Sequence, residues 1–139
     1  MIQRIQSVWL LLASVCAFLT FRLSFYFGQK TGATANEPLE PLNATSTILL
    51  IVLAAATGLG AFIAIFLYKD RKAQLRVTVA AIILSILSLV VYYTQTKNYT
   101  DGKLTLSSII SILIPIILFL AARGIWKDQK LVKSLDRLR

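Results

Sequence analysis

Residues 47–68 read TILLIVLAAATGLGAFIAIFLY, an apolar run without a single charged side chain. The hydrocarbon core of a bilayer is about 30 Å thick, and an α-helix that rises about 1.5 Å per residue crosses it in about 20 residues. This run is therefore long enough to cross a membrane. Because lipid offers no partners to backbone amides and carbonyls, the run is predicted to be helical.

Three further apolar runs accompany this one, so the chain is predicted to cross the membrane four times, at residues 5–27, 47–68, 77–94 and 104–122. The composition agrees, since 57% of the 139 residues are hydrophobic and 15% are charged. Soluble domains are typically about 45–50% apolar and about 25% charged. The predicted fold class is all-α: one integral membrane four-helix bundle over residues 1–139, with an amphipathic C-terminal helix in the tail, residues 123–139.

The distribution of Lys and Arg predicts the orientation in the membrane. Three of these residues, Lys30, Lys97 and Lys103, lie in the two loops on one side. Eleven lie on the other side: Arg4, Lys69, Arg71, Lys72, Arg76, Arg123, Lys127, Lys130, Lys133, Arg137 and Arg139. Because cytoplasmic segments carry the excess of basic residues, both termini are predicted to be cytoplasmic. The net charge of +9 then reflects topology, and it suits anionic lipid headgroups rather than nucleic acid.

The chain lacks the side chains that most enzyme and cofactor chemistry needs. It has no His and one Cys, Cys16, which is interpreted as a small buried hydrophobe, with lipidation as the alternative. A Ser-His-Asp triad, a His or thiolate metal site, a haem ligand pair and an internal disulfide are excluded. The protein is therefore predicted not to be an enzyme and to bind no cofactor or metal.

One charged residue lies inside a predicted span, and charges at this depth are costly enough to be functional candidates by default. It is Arg22, near the outer end of the first span. Two interpretations stay open: its side chain reaches the lipid headgroups, or it forms an ion pair with Glu37 or Glu40 of the first loop.

Small and hydroxylated residues recur in the spans at intervals that suit helix packing. Rows of small residues let helix backbones approach closely, and hydroxyls bond across helices or back to their own carbonyls. Pro115 is predicted to kink the fourth span, with Ser111 at the carbonyl that the proline leaves unpaired. The predicted packing residues are Ala56, Gly60, Ala64, Ser85, Ser111 and Pro115, with Ala54 and Gly58 on a nearby face.

The loops are predicted to form irregular structure and turns, and the span ends are predicted to carry interface anchors. The first loop, residues 28–46, is rich in Gly and Pro and is predicted to be irregular, and Asp101-Gly102 in the second is a turn pattern. Aromatic residues at the span ends are interpreted as interface anchors, with a ligand-binding aromatic box as the alternative. These residues are Trp9, Tyr26, Tyr68, Tyr92, Tyr93 and Trp126.

The tail alternates apolar and basic residues with the period of an amphipathic helix. The residues predicted to dock are Trp126, Leu131, Leu135 and Leu138, between five lysines and arginines. The tail is predicted either to bend at Gly124 and lie on the cytoplasmic leaflet or to dock on a partner protein.

Three segments resemble a known family: MIQRIQSVWLLLA at residues 1–13, AARGIWKD at 121–128 and LVKSLDRLR at 131–139. They are similar to a domain-of-unknown-function family of small bacterial four-span inner-membrane proteins. The resemblance covers the whole chain. It implies a bacterial cytoplasmic membrane, both termini inside and no assigned activity.

Two functions are predicted from these features. The first is a non-enzymatic accessory or scaffolding subunit of a larger membrane assembly, whose partners are other membrane protein subunits or further copies of the chain. The alternative is a small oligomeric transporter or channel for an uncharged or lipid-like solute. Its path would lie at the seams between copies, lined by Ser85, Ser88, Ser107, Ser108 and Ser111.

Overall fold

The computed structural model describes residues 2–32, 34 and 36–138, with side chains from residue 5 onward. The described part of the chain is mostly helical, with a small sheet. The α-helices are α1 (Ile2–Leu19), α2 (Ile48–Phe66), α3 (Arg71–Thr96) and α4 (Ser108–Arg137). The strands are β1 (Tyr26–Lys30), β2 (Glu40–Leu42) and β3 (Tyr99–Leu104), and a 3₁₀ turn (Leu67–Lys69) follows α2.

The helices pack in a ring, because each contacts the next along the chain and α4 returns to contact α1. The strands lie at one end, here called the sheet end. The other end, where α1 begins and α2 turns into α3, is called the terminal end. The core of the ring is rich in alanine, which lets the backbones approach closely. Its buried residues are Leu10, Ala13, Ala17, Ala61, Ala64, Ala81, Ile114, Ile117, Leu118, Ala121 and Ile125.

Within the described residues, three helices are long and apolar enough to cross a membrane: α2 with its 3₁₀ turn, α3 and α4. In α3, only 22% of the most apolar segment is buried inside the molecule, although its mean hydropathy is 2.3. Most of its apolar side chains therefore face outward. The apolar part of α1, Ile5–Leu19, is shorter than these three.

The first helix ends at Leu19, so the prediction of a span reaching residue 27 was wrong. The apolar run continues, but its last residues form hydrogen bonds with other segments. The Phe25 amide donates to the Leu42 carbonyl at 2.6 Å, and the Thr105 amide donates to the Phe25 carbonyl at 3.3 Å. Strand pairing on both sides of residues 25–30 therefore replaces the helix.

Parts of both predicted loops, with the end of the first predicted span, form an antiparallel sheet in the order β2-β1-β3, although the first loop was predicted to be irregular. Tyr26 pairs with Leu42 on one side and Leu104 on the other. The expected turn at Asp101-Gly102 is instead part of β3, where the register shifts and Asp101 adopts a φ of 51°. Aspartate tolerates this left-handed conformation better than most residues, so the irregularity is compatible with the sequence.

Two helices extend beyond the predicted spans at the terminal end. Helix α3 begins at Arg71 rather than at residue 77, because the Asp70 carboxylate accepts the amides of Lys72 and Ala73 at 3.1 and 3.2 Å. Helix α4 begins at Ser108 and continues without interruption to Arg137. The predicted amphipathic tail is thus the last part of α4, and the helix continues through Gly124.

Two glycines of α2 provide a matched pair for testing close packing. A β-carbon at Gly58 would lie 3.1 Å from the Phe18 ring, whereas one at Gly60 would lie 3.7 Å from the Ala81 β-carbon. We expect Gly60→Ala to raise the free energy of unfolding by roughly 0.5–1 kcal/mol, because alanine favours the helix. We expect Gly58→Ala to gain less or to lose stability. Thermal unfolding in detergent measures both, and a larger gain at Gly58 would contradict this packing.

Candidate functional site

Three residues from three helices meet at the terminal end and form what we call the terminal junction: Gln6 of α1, Arg71 of α3 and Asp128 of α4. The Gln6 side-chain amide donates to the Asp128 carboxylate at 2.7 Å, and the Arg71 guanidinium donates to the Asp128 backbone carbonyl at 3.2 Å. Gln6 and Asp128 are only 5% and 7% exposed. Because a buried carboxylate is costly without a hydrogen-bond donor, this contact fixes α4 against α1.

A glycine makes room for the junction. A β-carbon at Gly124, one turn before Asp128, would lie 3.0 Å from the Gln6 γ-carbon. Gly124 was predicted as a place where the tail bends, and the structure gives it a different role as the surface on which the Gln6 side chain packs. Two further polar residues, Gln74 and Thr78 of α3, are also buried, and the Thr78 hydroxyl donates to the Gln74 carbonyl at 2.8 Å.

The terminal junction was not predicted from the sequence, because the fourth span was predicted to end at residue 122 and Asp128 was assigned to the tail. The buried positions Leu118, Ala121, Ile125 and Asp128 continue at intervals of three and four residues. The interior face of α4 therefore continues to Asp128, six residues into the segment that was predicted to be the tail. A buried aspartate on such a face was the available signal.

The last part of α4, residues 123–137, is here called the tail helix. It exposes several apolar residues, and beyond Asp128 it leaves the ring. Leu131, Leu135 and Leu138 are 48%, 67% and 87% exposed, and Trp126 is 63% exposed. Trp126 and Leu131 share a shallow groove of about 420 Å³ with basic residues on its rim. The groove is lined by Arg123, Trp126, Lys127, Lys130, Leu131 and Ser134.

On its other side, the tail helix borders an open cleft of about 600 Å³ against the turn between α2 and α3. The cleft carries more positive than negative charge, and the Asp70 carboxylate in it already caps α3. Its lining residues are Lys69, Asp70, Arg71, Lys72, Gln129, Val132, Lys133 and Asp136. Both surfaces of the tail helix therefore favour anionic groups.

A small cavity with several hydroxyl groups in its wall lies inside the ring, nearer the sheet end. All four helices contribute to its wall, which is lined by Ala17, Thr20, Ala54, Thr57, Ser85, Ser88, Tyr92, Ser111 and Ile114. Three predicted path-lining serines are buried within the single chain: Ser85, Ser108 and Ser111, at 2%, 5% and 7% exposure. A seam between copies would need these side chains on the outer surface, and they do not lie there.

The predicted packing residues separate into two groups. Ala64, Ser85 and Ser111 are buried, whereas Ala56, Gly60 and Pro115 are half-buried. Ala64 shares the buried face of α2 with the small residues Ala54, Gly58 and Ala61. On this face the Gly58 carbonyl accepts the Ser14 hydroxyl at 3.0 Å.

The charged residues of the first loop do not converge on Arg22. Glu40 forms an ion pair with Lys30 at 3.5 Å, with both side chains more than half exposed, and it is the only ion pair found in the part of the chain that the structure describes. Arg22 and Glu37 are exposed. An exposed pair of this kind contributes about 0–1 kcal/mol, so it does not hold the loop in place.

One of the predicted interface anchors is an interior residue. Tyr92 is 3% exposed and its ring stacks on that of Phe25, with 4.6 Å between centroids. Tyr26 is half-buried against Tyr99. Tyr68, Tyr93 and Trp126 are exposed, at 53%, 67% and 63%. Tyr92 therefore attaches the sheet to α3 through its contact with Phe25.

The side chains available at these sites are mostly basic and apolar. Among residues 2–32, 34 and 36–138, no group of three or more His, Cys, Asp or Glu side chains comes together. The buried Asp128 carboxylate is held by an amide, and the exposed groups of the tail helix are basic and apolar. These surfaces fit an anionic or apolar partner.

Comparison with known proteins gives one positive result. A family model with the description "Domain of unknown function (DUF4293)" matches residues 2–138. No curated protein and no solved structure matches the chain significantly. The match includes all four helices and the terminal junction, and it agrees with the resemblance noted in the two ends of the sequence. The chain therefore belongs to the DUF4293 family.

Proposed function

We propose that this protein is a non-enzymatic, four-span protein of the bacterial cytoplasmic membrane that serves as an accessory or scaffolding subunit of a larger assembly. The tail helix is its docking element. The observation that carries the proposal is the unpartnered apolar stripe of that helix, Leu131, Leu135 and Leu138, which lies beyond the end of the ring.

The outward-facing apolar residues support the membrane location. Many large hydrophobic side chains of α2, α3 and α4 are exposed, among them Phe66 at 66% and Phe119 at 61%. Soluble monomers rarely expose contiguous apolar surface on this scale. On α1, Val8 and Val15 are likewise exposed, at 61% and 48%, which supports α1 as the fourth span despite its shorter length.

The position of the basic residues supports cytoplasmic termini. The turn between α2 and α3 and the tail of α4 meet at the terminal end, where Arg71 contacts Asp128. These two segments carry ten of the chain's fifteen lysines and arginines. Under the positive-inside rule, this end faces the cytoplasm.

Either a membrane leaflet or a protein could cover this apolar stripe. Basic residues flank it, and a helix that lies on a leaflet would bury the apolar side in the same way as a helix docked on a protein. We favour a protein partner because α4 is continuous through the ring, so the terminal junction holds the tail helix in the direction of the bundle. A partner with an apolar groove and acidic rim complements this surface.

Affinity purification from native membranes in mild detergent tests the proposal. We expect the wild-type chain to recover a stoichiometric partner, and we expect the double variant Leu131→Ser, Leu135→Ser to lose it, since the variant removes the apolar contact. Leu106→Ser is the matched control, because Leu106 is 85% exposed at the sheet end. It should retain the partner.

Two outcomes would reject the proposed function. One is recovery of the wild-type chain only as a monomer or a dimer of itself. The other is equal loss of the partner in the tail variant and in Leu106→Ser, which would show that binding does not depend on the tail helix.

A further inference from the structure

The cavity near the sheet end is small and is lined by hydroxyl groups together with apolar side chains. The space open to the centre of a water molecule is about 10 Å³, and six of the residues that line it carry hydroxyl groups. Each helix of the ring borders it. Such a concentration of hydroxyls is notable in a chain of which 57% is hydrophobic, because each buried hydroxyl needs a hydrogen bond.

Most of these hydroxyls have already donated their protons. Thr20 donates to the Ala17 carbonyl at 2.6 Å, Thr57 to the Leu53 carbonyl at 2.7 Å and Ser85 to the Ile82 carbonyl at 2.7 Å. Each bond lies within one helix or at its end. The Thr20 oxygen is also hydrogen-bonded with the Tyr92 hydroxyl, whereas the oxygens of Thr57 and Ser85 remain available as acceptors.

Within the described part of the chain, two lining hydroxyls donate to no backbone carbonyl, those of Tyr92 and Ser111, and the Tyr92 hydroxyl is hydrogen-bonded with Thr20. Ser111 is 7% exposed, and its hydroxyl has no hydrogen-bond partner among the residues that the structure describes. Its backbone carbonyl also lacks the usual α-helical donor, because that donor would be the amide of residue 115 and Pro115 has none. Ser111 therefore brings an unused hydroxyl donor and a carbonyl without its usual helical donor to the same turn of α4.

We propose that this cavity is a binding site for one water molecule, shared by the four helices and centred on Ser111. The water accepts the Ser111 hydroxyl proton and donates to the hydroxyl oxygens on the opposite wall. Buried waters in proteins typically make about three hydrogen bonds to groups that are otherwise unsatisfied.

Other ligands fit the site less well. A buried water needs roughly 10–15 Å³ of this kind of space, so a solute or lipid chain is too large. A bare cation would meet oxygen ligands, but no carboxylate lines the cavity, and an uncompensated buried charge is costly. Water is the ligand that satisfies both the size and the balance of donors and acceptors.

An experimental structure of the full chain, at a resolution that shows ordered water, is the direct test. We expect one peak within hydrogen-bond distance of the Ser111 hydroxyl and of at least two other hydroxyl oxygens. An empty cavity, at a resolution where other buried waters are visible, would overturn the proposal. Density too large for water would also overturn it.

A variant pair gives a second test that needs no crystal. We expect Ser111→Ala to lower the midpoint of thermal unfolding by about 3 °C, since the water loses the Ser111 hydroxyl donor. Ser107→Ala is the control, because Ser107 is half-buried on the neighbouring turn and does not line the cavity. Equal midpoints for the two variants would contradict a water bound at Ser111.

Discussion

Replacing Phe25 with alanine is expected to lower the free energy of unfolding by about 3–5 kcal/mol, the usual cost of removing a buried phenylalanine ring. Phe25 is 8% exposed and stacks on Tyr92 of α3. Together with Leu42 and Leu50 these rings form a second apolar cluster, which joins β2, α2 and α3. The alanine variant leaves a cavity at the point where the sheet attaches to the helices.

Phe27 offers a matched control within the same strand region. It is 38% exposed and does not belong to the cluster, so Phe27→Ala should change stability much less, by about 1 kcal/mol or under. Equilibrium unfolding in detergent micelles measures both variants. Comparable losses would show that the sheet is not fastened through Phe25.

The second large effect is expected at the terminal junction. Asp128→Ala should lower the free energy of unfolding by about 2–3 kcal/mol, because hydrogen bonds to charged groups contribute about 1.5–3 kcal/mol and the buried Gln6 amide would lose its acceptor. Asp128→Asn should lose less, since its side-chain oxygen still accepts from Gln6. The same unfolding measurement compares the two variants.

Asp136 is the control for charge, because it lies exposed on the same helix. Asp136→Ala should stay within about 0.5 kcal/mol of the wild type. A double-mutant cycle with Gln6→Ala isolates the contact, and residues in direct contact typically couple by about 0.5–3 kcal/mol. Additive losses in this cycle would mean that the 2.7 Å hydrogen bond does not hold α1 to α4.

The junction also bears on the proposed docking. It is the last buried point of α4, so it sets the direction in which the tail helix leaves the ring. Leu131 and Leu135 begin their exposed stripe within two turns of Asp128. A partner that binds these residues therefore binds a surface held by the first and last helices together.

Hydropathy predicted the apolar helices because the requirement is local. A segment that must satisfy its backbone groups internally and expose apolar side chains becomes a helix, whatever it packs against. Hydropathy predicted both ends of α2 to within two residues, and it predicted most of α3 and α4. The prediction of a helix was wrong for residues 20–27, where the apolar run leads into β1.

The site residues were harder to predict, because burial depends on which face of each helix meets another. Ala56 and Gly60 follow the same spacing as Ala54 and Gly58, yet the second pair is the more deeply buried. Tyr92 and Tyr93 are neighbours in sequence with opposite surroundings, at 3% and 67% exposure. Spacing identifies a face but does not say which face is interior.

The sequence by itself determined the helical character of the chain, the apolar runs and the grouping of its basic residues, because each follows from composition along a short segment. Only the tertiary structure decided the sheet, the hydroxyl-lined cavity and the contact between Gln6 and Asp128. Those features join residues far apart in the chain, up to 122 positions for Gln6 and Asp128. Their hydrogen bonds form only after the helices have packed in a ring, so no local pattern specifies them.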